Sequence, residues 1–173
     1  MSFLIKPTLA LMSPAGTKAR LSVLIFHRVL PVADPLFPDE MHAQRFNETC
    51  SWLKSWFNVL PLDQAAAHLK AGTLPARAAC ITFDDGYADN HDVAMPILQH
   101  HGLTATFFIA TGFLNGGRMW NDTIIETVRR RIDMPTIAAR QATITTLINQ
   151  IKYLPTADRV TVTEELAKSA NVT

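Results

Sequence analysis

Four short apolar runs punctuate the first 110 residues, and helix-patterned or turn-forming sequence separates them. Residues 21–26 (LSVLIF) are almost continuously apolar, with the length and branched content of a strand buried on both faces. Residues 45–56 then switch to helical spacing, with Phe46, Cys50, Leu53 and Phe57 falling on one side. A second short strand is expected over 57–60, closed by Pro61. Asp63 is placed to cap a helix over 64–71, which Gly72 ends. The third run, residues 78–83, leads straight into Asp84-Asp85-Gly86. A helix over 89–101 follows, and Pro96 inside it predicts a kink or a late start. Gly102 closes that helix before a fourth strand over 103–109 (LTATFFI). Strands alternating with helices at this spacing predict parallel βα units, hence an α/β sheet or barrel.

After Gly116-Gly117 the pattern changes. Residues 121–173 hold one aromatic side chain, Tyr153, and no strand pattern. Asn121 is placed to cap a helix whose last turn carries Arg129, Arg130 and Arg131, which suits the helix dipole. Two amphipathic helices are expected over 136–153 and 156–170. Four strands are too few to close a parallel barrel, so the pattern predicts a barrel cut short.

Composition narrows the class. Apolar residues make up 48% and charged residues 18%, which fits a folded globular chain. A formal net charge of +1 demands neither nucleic acid nor an anionic membrane as partner. No run approaches the roughly 18 apolar residues of a membrane span. Residues 1–12 carry Lys6 in their middle and no small-residue cleavage site after them, a poor signal peptide, so a cytoplasmic location is the default. Two cysteines do not make a disulfide framework, and Cys80, inside an apolar run, is expected to be a buried, inert thiol.

The chemistry concentrates at the end of the third run. Parallel sheets and α/β barrels keep their active sites at the C-terminal ends of strands. Adjacent carboxylates repel, and a divalent cation or a shared proton offsets that cost. One carboxylate can then ligate the metal while the other removes a proton from water. Gly86 permits the sharp turn that aims both into one cleft. The alternative is that Asp84 and Asp85 merely cap the following helix. His27 ends the first run, where it either lines the same cleft or serves as a hydrogen-bonded structural residue. His91 reads as a surface or supporting residue, and His100 and His101 as a solvated helix end.

Three segments together resemble the polysaccharide deacetylases, carbohydrate esterase family 4: Leu24-Ile25-Phe26-His27-Arg28-Val29, then Ile81-Thr82-Phe83-Asp84-Asp85-Gly86-Tyr87, then Thr106-Phe107-Phe108-Ile109. The resemblance covers residues 21 to about 125, and the helical tail resembles an insertion of exopolysaccharide-associated members. It implies an α/β fold, a partial distorted (β/α) barrel with a helical C-terminal segment. The corresponding division is a ragged N-terminus over 1–20, the N-terminal part of a deacetylase domain over 21–120, and a helical insertion over 121–173 after which the domain is truncated. It further implies a metal-dependent hydrolase that removes N-acetyl groups from a polysaccharide. Asp84 is then the general base and Asp85 a ligand of a divalent metal, usually zinc; His27 and Tyr87 are the candidates for substrate contact.

One departure is large. The family's two other metal ligands belong to a His-Ser/Thr-x-x-x-His segment downstream of the fourth strand, and no histidine follows His101. The arginine-, tryptophan- and final histidine-bearing motifs expected later are missing as well. An ordered loss of this kind predicts a chain inactive by itself. A second reading is a non-catalytic remnant that binds carbohydrate or a partner. A third, an Asp-pair phosphoryl-transfer hydrolase using magnesium, lacks any glycine-rich phosphate loop or companion acidic cluster.

Overall fold

Every residue of β3 (Ala78–Phe83) is buried, and the sheet is built around it. The computed structural model describes residues 5–131 and 133–170. The chain divides into two compact units, one ending at Ala110 and one starting at Thr111. In the first, β1 (Ser22–Phe26) pairs with β3 along its whole length, with Ser22 opposite Ala79 and Phe26 opposite Phe83. The other side of β3 is shared. β2 (Asn58–Val59) pairs with Ala78 and Ala79, and β4 (Thr106–Phe107) with Thr82 and Phe83. All of these pairings are parallel, as the alternation of runs and helices predicts. Among the described residues the sheet is open, with β1 at one edge, and no barrel closes.

Alternation along β3 gives it two working faces. Ile81 and Phe83 join Phe46, Cys50 and Leu53 of α2 (Ala43–Trp56), Leu98 of α4 (Met95–His101), Ala94 and Val29 in the larger core. Ala78 and Cys80 join Ala65 of α3 (Leu62–Ala71) and Leu74 on the opposite face. The helical face of α2 is the one its sequence spacing marks, with Phe57 packed at its margin. A further helix, α1 (Ile5–Met12), buries none of its residues.

Several local expectations need correction. β1 is not covered on both faces: Val23 is 45% and Ile25 60% exposed, because α3 packs over the β3 side of that face and leaves the edge strand bare. The fourth strand is limited to Thr106–Phe107, which pair with Thr82 and Phe83 at the end of β3. Pro61, not Asp63, occupies the N-cap position of α3, and Asp63 lies in the first turn, where its charge still suits the dipole. The helix expected over 89–101 begins as a π-helical turn, Asn90–Ala94, and becomes α-helical from Met95, with Pro96 in the first turn where its missing N–H is harmless. Gly72 and Gly102 end their helices in the left-handed conformation, at φ of 67° and 64°.

The second unit is helical: α5 (Trp120–Arg130), α6 (Ile137–Ile151) and α7 (Thr156–Ser169), with α5 packed against both others. Met119 rather than Asn121 holds the N-cap position of α5. Ile124, Thr127 and Val128 of α5, Ile144 and Ile151 of α6 and Thr163 of α7 form its interior. The exposed carbonyls at the end of α5 find a donor in Arg140 of α6. Its Nη1 and Nη2 donate to the carbonyls of Arg129 and Arg131, both at 3.0 Å, and its Nε to that of Met134 at 2.8 Å. No described helix is long and apolar enough to cross a membrane.

Candidate active site

The acidic corner is held from both sides by extensions of the parallel ladder. The Asp84 amide donates to the Phe26 carbonyl at 2.9 Å, which continues the pairing of β3 with β1. On the other side the Phe108 amide donates to the Phe83 carbonyl at 2.7 Å, and the Ala110 amide to the Asp85 carbonyl at 3.2 Å. The two carboxylates therefore stand at the C-terminal end of the central strand, where parallel sheets present their sites. Both residues are partly exposed, while the strand that carries them is buried throughout.

Below the corner, parallel register sets three phenylalanines side by side. Phe26, Phe83 and Phe107 occupy matched positions on β1, β3 and β4, with ring centroids 5.4 Å and 5.0 Å apart in stacked pairs. Phe46 of α2 meets Phe26 and Phe83 edge-on at 5.2 Å and 5.7 Å. Aromatic pairs of this kind contribute about 0.5–1.5 kcal/mol each beyond their buried area. They make a stiff floor for the two aspartates.

The turn itself is backbone-strained. Asp85 has φ of 75° and Gly86 the same, two successive residues in the left-handed region. Glycine tolerates this, and aspartate is among the few other residues that do. Space adds a second constraint at Gly86: a Cβ there would lie 2.9 Å from Ile109 Cγ2. Strain of this kind gathers at functional sites, because the surrounding structure must hold it in place.

Two residues that sequence reasoning passed over do much of that holding. Asp89, 9% exposed, accepts from Arg28 Nε at 2.9 Å and from the Val29 amide at 3.0 Å. Asn90 Nδ2 donates to the His27 carbonyl at 2.9 Å and to Asp89 Oδ1 at 3.3 Å. The segment leaving β1 is thus tied to the segment leaving the acidic turn. The Arg28 guanidinium also lies 4.5 Å over the Tyr87 ring, an arrangement that combines cation–π attraction with packing. In the sequence, the signal for them is an Asp-Asn pair three residues after the Asp84-Asp85-Gly86 motif.

Of the candidate site residues, Asp84, Asp85 and Tyr87 share one turn, and His27 follows the neighbouring strand with an exposed side chain. His91 is exposed beside Asp92, with Nδ1 2.8 Å from its Oδ1. His100 and His101 close α4, His100 exposed and His101 partly so. His101 Nε2 lies 2.8 Å from Asn47 Oδ1 on α2, and burial, then His100 and Lys54, hold its pKa below the usual histidine value. Cys80 is buried as expected, its pKa raised by burial and by the nearby Asp63 charge. A catalytic zinc takes about three protein ligands. Among the described residues no group of three histidine, cysteine or acidic side chains can hold a metal, so these residues alone do not fit that ion.

Residues 71–145, which include β3, the acidic turn, α4 and β4, match the family model for polysaccharide deacetylase. That segment resembles polysaccharide deacetylases. YxkH of Bacillus subtilis (strain 168), which carries a polysaccharide deacetylase name, is 30% identical over 93 residues, 53% of this chain and 32% of that protein. The solved structure of IcaB from Ammonifex degensii superposes with a TM-score of 0.50 at 25% identity, covering 68% of this chain and 50% of that one. A de-N-acetylase from Aggregatibacter actinomycetemcomitans is 31% identical with a TM-score of 0.47, over 56% of this chain and 40% of its own. The chain thus spans about a third of the curated relative it matches and half or less of these two solved structures.

Proposed function

We propose that this chain supplies the acidic corner of a polysaccharide de-N-acetylase, a hydrolase of the carbon–nitrogen amide bond in N-acetylated sugars. The observation that carries the reading is the Asp84-Asp85-Gly86 turn at the C-terminal end of the central strand, inside the segment that matches the deacetylase family. In this proposal Asp84 is the general base that takes a proton from the attacking water. Asp85 contributes one ligand to a divalent metal, zinc by analogy with the family, and His27 and Tyr87 contact the sugar. The remaining ligands come from outside these 173 residues, as do the strands that would extend the open sheet toward a barrel. Support for that incompleteness comes from the lack of any histidine after His101 and of any three-ligand group among the described residues.

A calorimetric zinc titration of the 173-residue chain tests it. The expected outcome is binding no tighter than about the micromolar range, since one carboxylate is far short of a zinc site. A nanomolar 1:1 site abolished by Asp85→Ala would overturn the claim that the ligand set is incomplete.

A further inference from the structure

α1 buries none of its residues, although its only charged side chain is Lys6. It lies against α2, and Ile5, Leu9 and Ala10 are half-buried. Leu11 and Met12 are left 84% and 62% exposed. Single exposed apolar side chains are ordinary, so the surroundings decide what this end of the helix can do. Arg77 fixes those surroundings. Its amide donates to the Ser13 carbonyl at 2.9 Å, just after α1, and its Nη1 to the Trp56 carbonyl at 2.7 Å, at the end of α2. The two helix ends therefore stand side by side. Trp56 stacks on Trp52, with ring centroids 5.9 Å apart, and Trp52 is 51% exposed. Ser13 also holds Arg20: its Oγ donates to the Arg20 carbonyl at 2.9 Å and accepts from the Arg20 amide at 3.2 Å. Lys18 and Arg20 are exposed, and among the described residues neither forms an ion pair. No acidic residue precedes Asp34, and the one acid of α2, Glu48, has Arg45 three residues before it.

Leucine, methionine and tryptophan side chains rimmed by lysine and arginine suit the headgroup region of a bilayer. Apolar side chains enter the acyl boundary, an indole sits at its polar margin, and the cations meet anionic headgroups. We propose that this patch, Leu11, Met12 and Trp52 with Lys18 and Arg20, docks the chain on an anionic phospholipid surface. The attachment is peripheral, since no described helix is long and apolar enough to cross a membrane. A second copy of the chain is a poorer occupant, because a two-fold pairing would bring two cationic rims together. The inference goes beyond the de-N-acetylase reading and stands or falls without it.

The test is co-sedimentation of the 173-residue chain with sucrose-loaded vesicles of phosphatidylcholine, alone or mixed with phosphatidylglycerol. At about 0.1 M salt the mixed vesicles are expected to bind the chain roughly tenfold or more tightly, and salt at about 0.5 M to remove most of that difference. Leu11→Ser combined with Met12→Ser is expected to weaken binding to the mixed vesicles by about tenfold or more. Its circular dichroism stays unchanged, because both side chains are exposed. Lys18→Gln combined with Arg20→Gln is expected to remove the preference for the anionic vesicles. Equal binding to both vesicle types, binding to neither, or binding that survives both double substitutions would each overturn the proposal. Self-association without vesicles that the Leu11→Ser and Met12→Ser pair abolishes would overturn it as well, by giving the patch to a second copy.

Discussion

At the scale of single residues, the acidic turn sets a side-chain requirement against a backbone preference. Position 85 holds a carboxylate at φ of 75°, where an L-residue is strained, and Gly86 sits against Ile109 with no room for a Cβ. Asp85→Gly is therefore expected to raise stability by up to about 1 kcal/mol in chemical denaturation. Asp85→Asn separates the loss of charge from the relief of the backbone. Gly86→Ala is expected to cost about 1–3 kcal/mol. An Asp85→Gly protein no more stable than Asp85→Asn would show that the turn stores no such strain. A second residue-scale effect is alkaline sensitivity. Burial pushes the Cys50 thiol up to about 11, from the 9.0 of a free thiol. The unfolded chain then loses its proton first as pH rises. The contribution of Cys50 is present in full below about pH 9 and falls away between pH 9 and 11. A flatter alkaline limb of stability in Cys50→Ala than in the parent checks the assignment.

Elements differ in how much of their surroundings they find within the described residues. β3 is covered on both faces and paired along both sides; β1 is paired on one side only and leaves Val23 and Ile25 exposed. A bare apolar edge strand is an association hazard. The double substitution Val23→Thr with Ile25→Thr keeps β-branched side chains in place and removes apolar surface from water. It is expected to change folding stability by less than about 0.5–1 kcal/mol and to lower the apparent mass of the chain in light scattering at high concentration. A loss of several kcal/mol would mean that these side chains are buried in solution. Across the same strands, register converts sequence into a site: Phe26, Phe83 and Phe107 line up, and the two aspartates follow directly after Phe83.

For the whole molecule, the decisive quantity is how much of a deacetylase site these residues supply. The matched segment contains a base and one acidic ligand in the proposed assignment, and the chain spans 32% of its curated relative. In a protein extended over the length of such relatives, Asp84→Asn is expected to lower the hydrolysis rate of N-acetylated oligosaccharide by roughly 10²–10⁴-fold, with binding of the oligosaccharide little changed. Retention of more than a tenth of the rate would remove Asp84 from the role of base. The 173-residue chain is expected to release no acetate from the same substrate above the uncatalysed rate.

Much of the first unit was legible in the sequence because its signals are local. Branched apolar runs of strand length, helical spacing at Phe46, Cys50 and Leu53, and glycines able to turn left-handed at 72 and 102 fix their elements without reference to anything distant. The Asp84-Asp85-Gly86 turn was legible for the same reason. What only the tertiary structure decided depends on partners far apart in the chain. Sequence cannot tell whether a second sheet face will be covered, so LSVLIF read as fully buried although Val23 and Ile25 are not. Nor does it reveal that Asp89 reaches back 61 residues to Arg28, or that Arg140 completes the end of α5. Local patterns specify the conformation of a segment. Burial, strand register and hydrogen-bond closure are properties of pairs, and they exist only once the chain has folded.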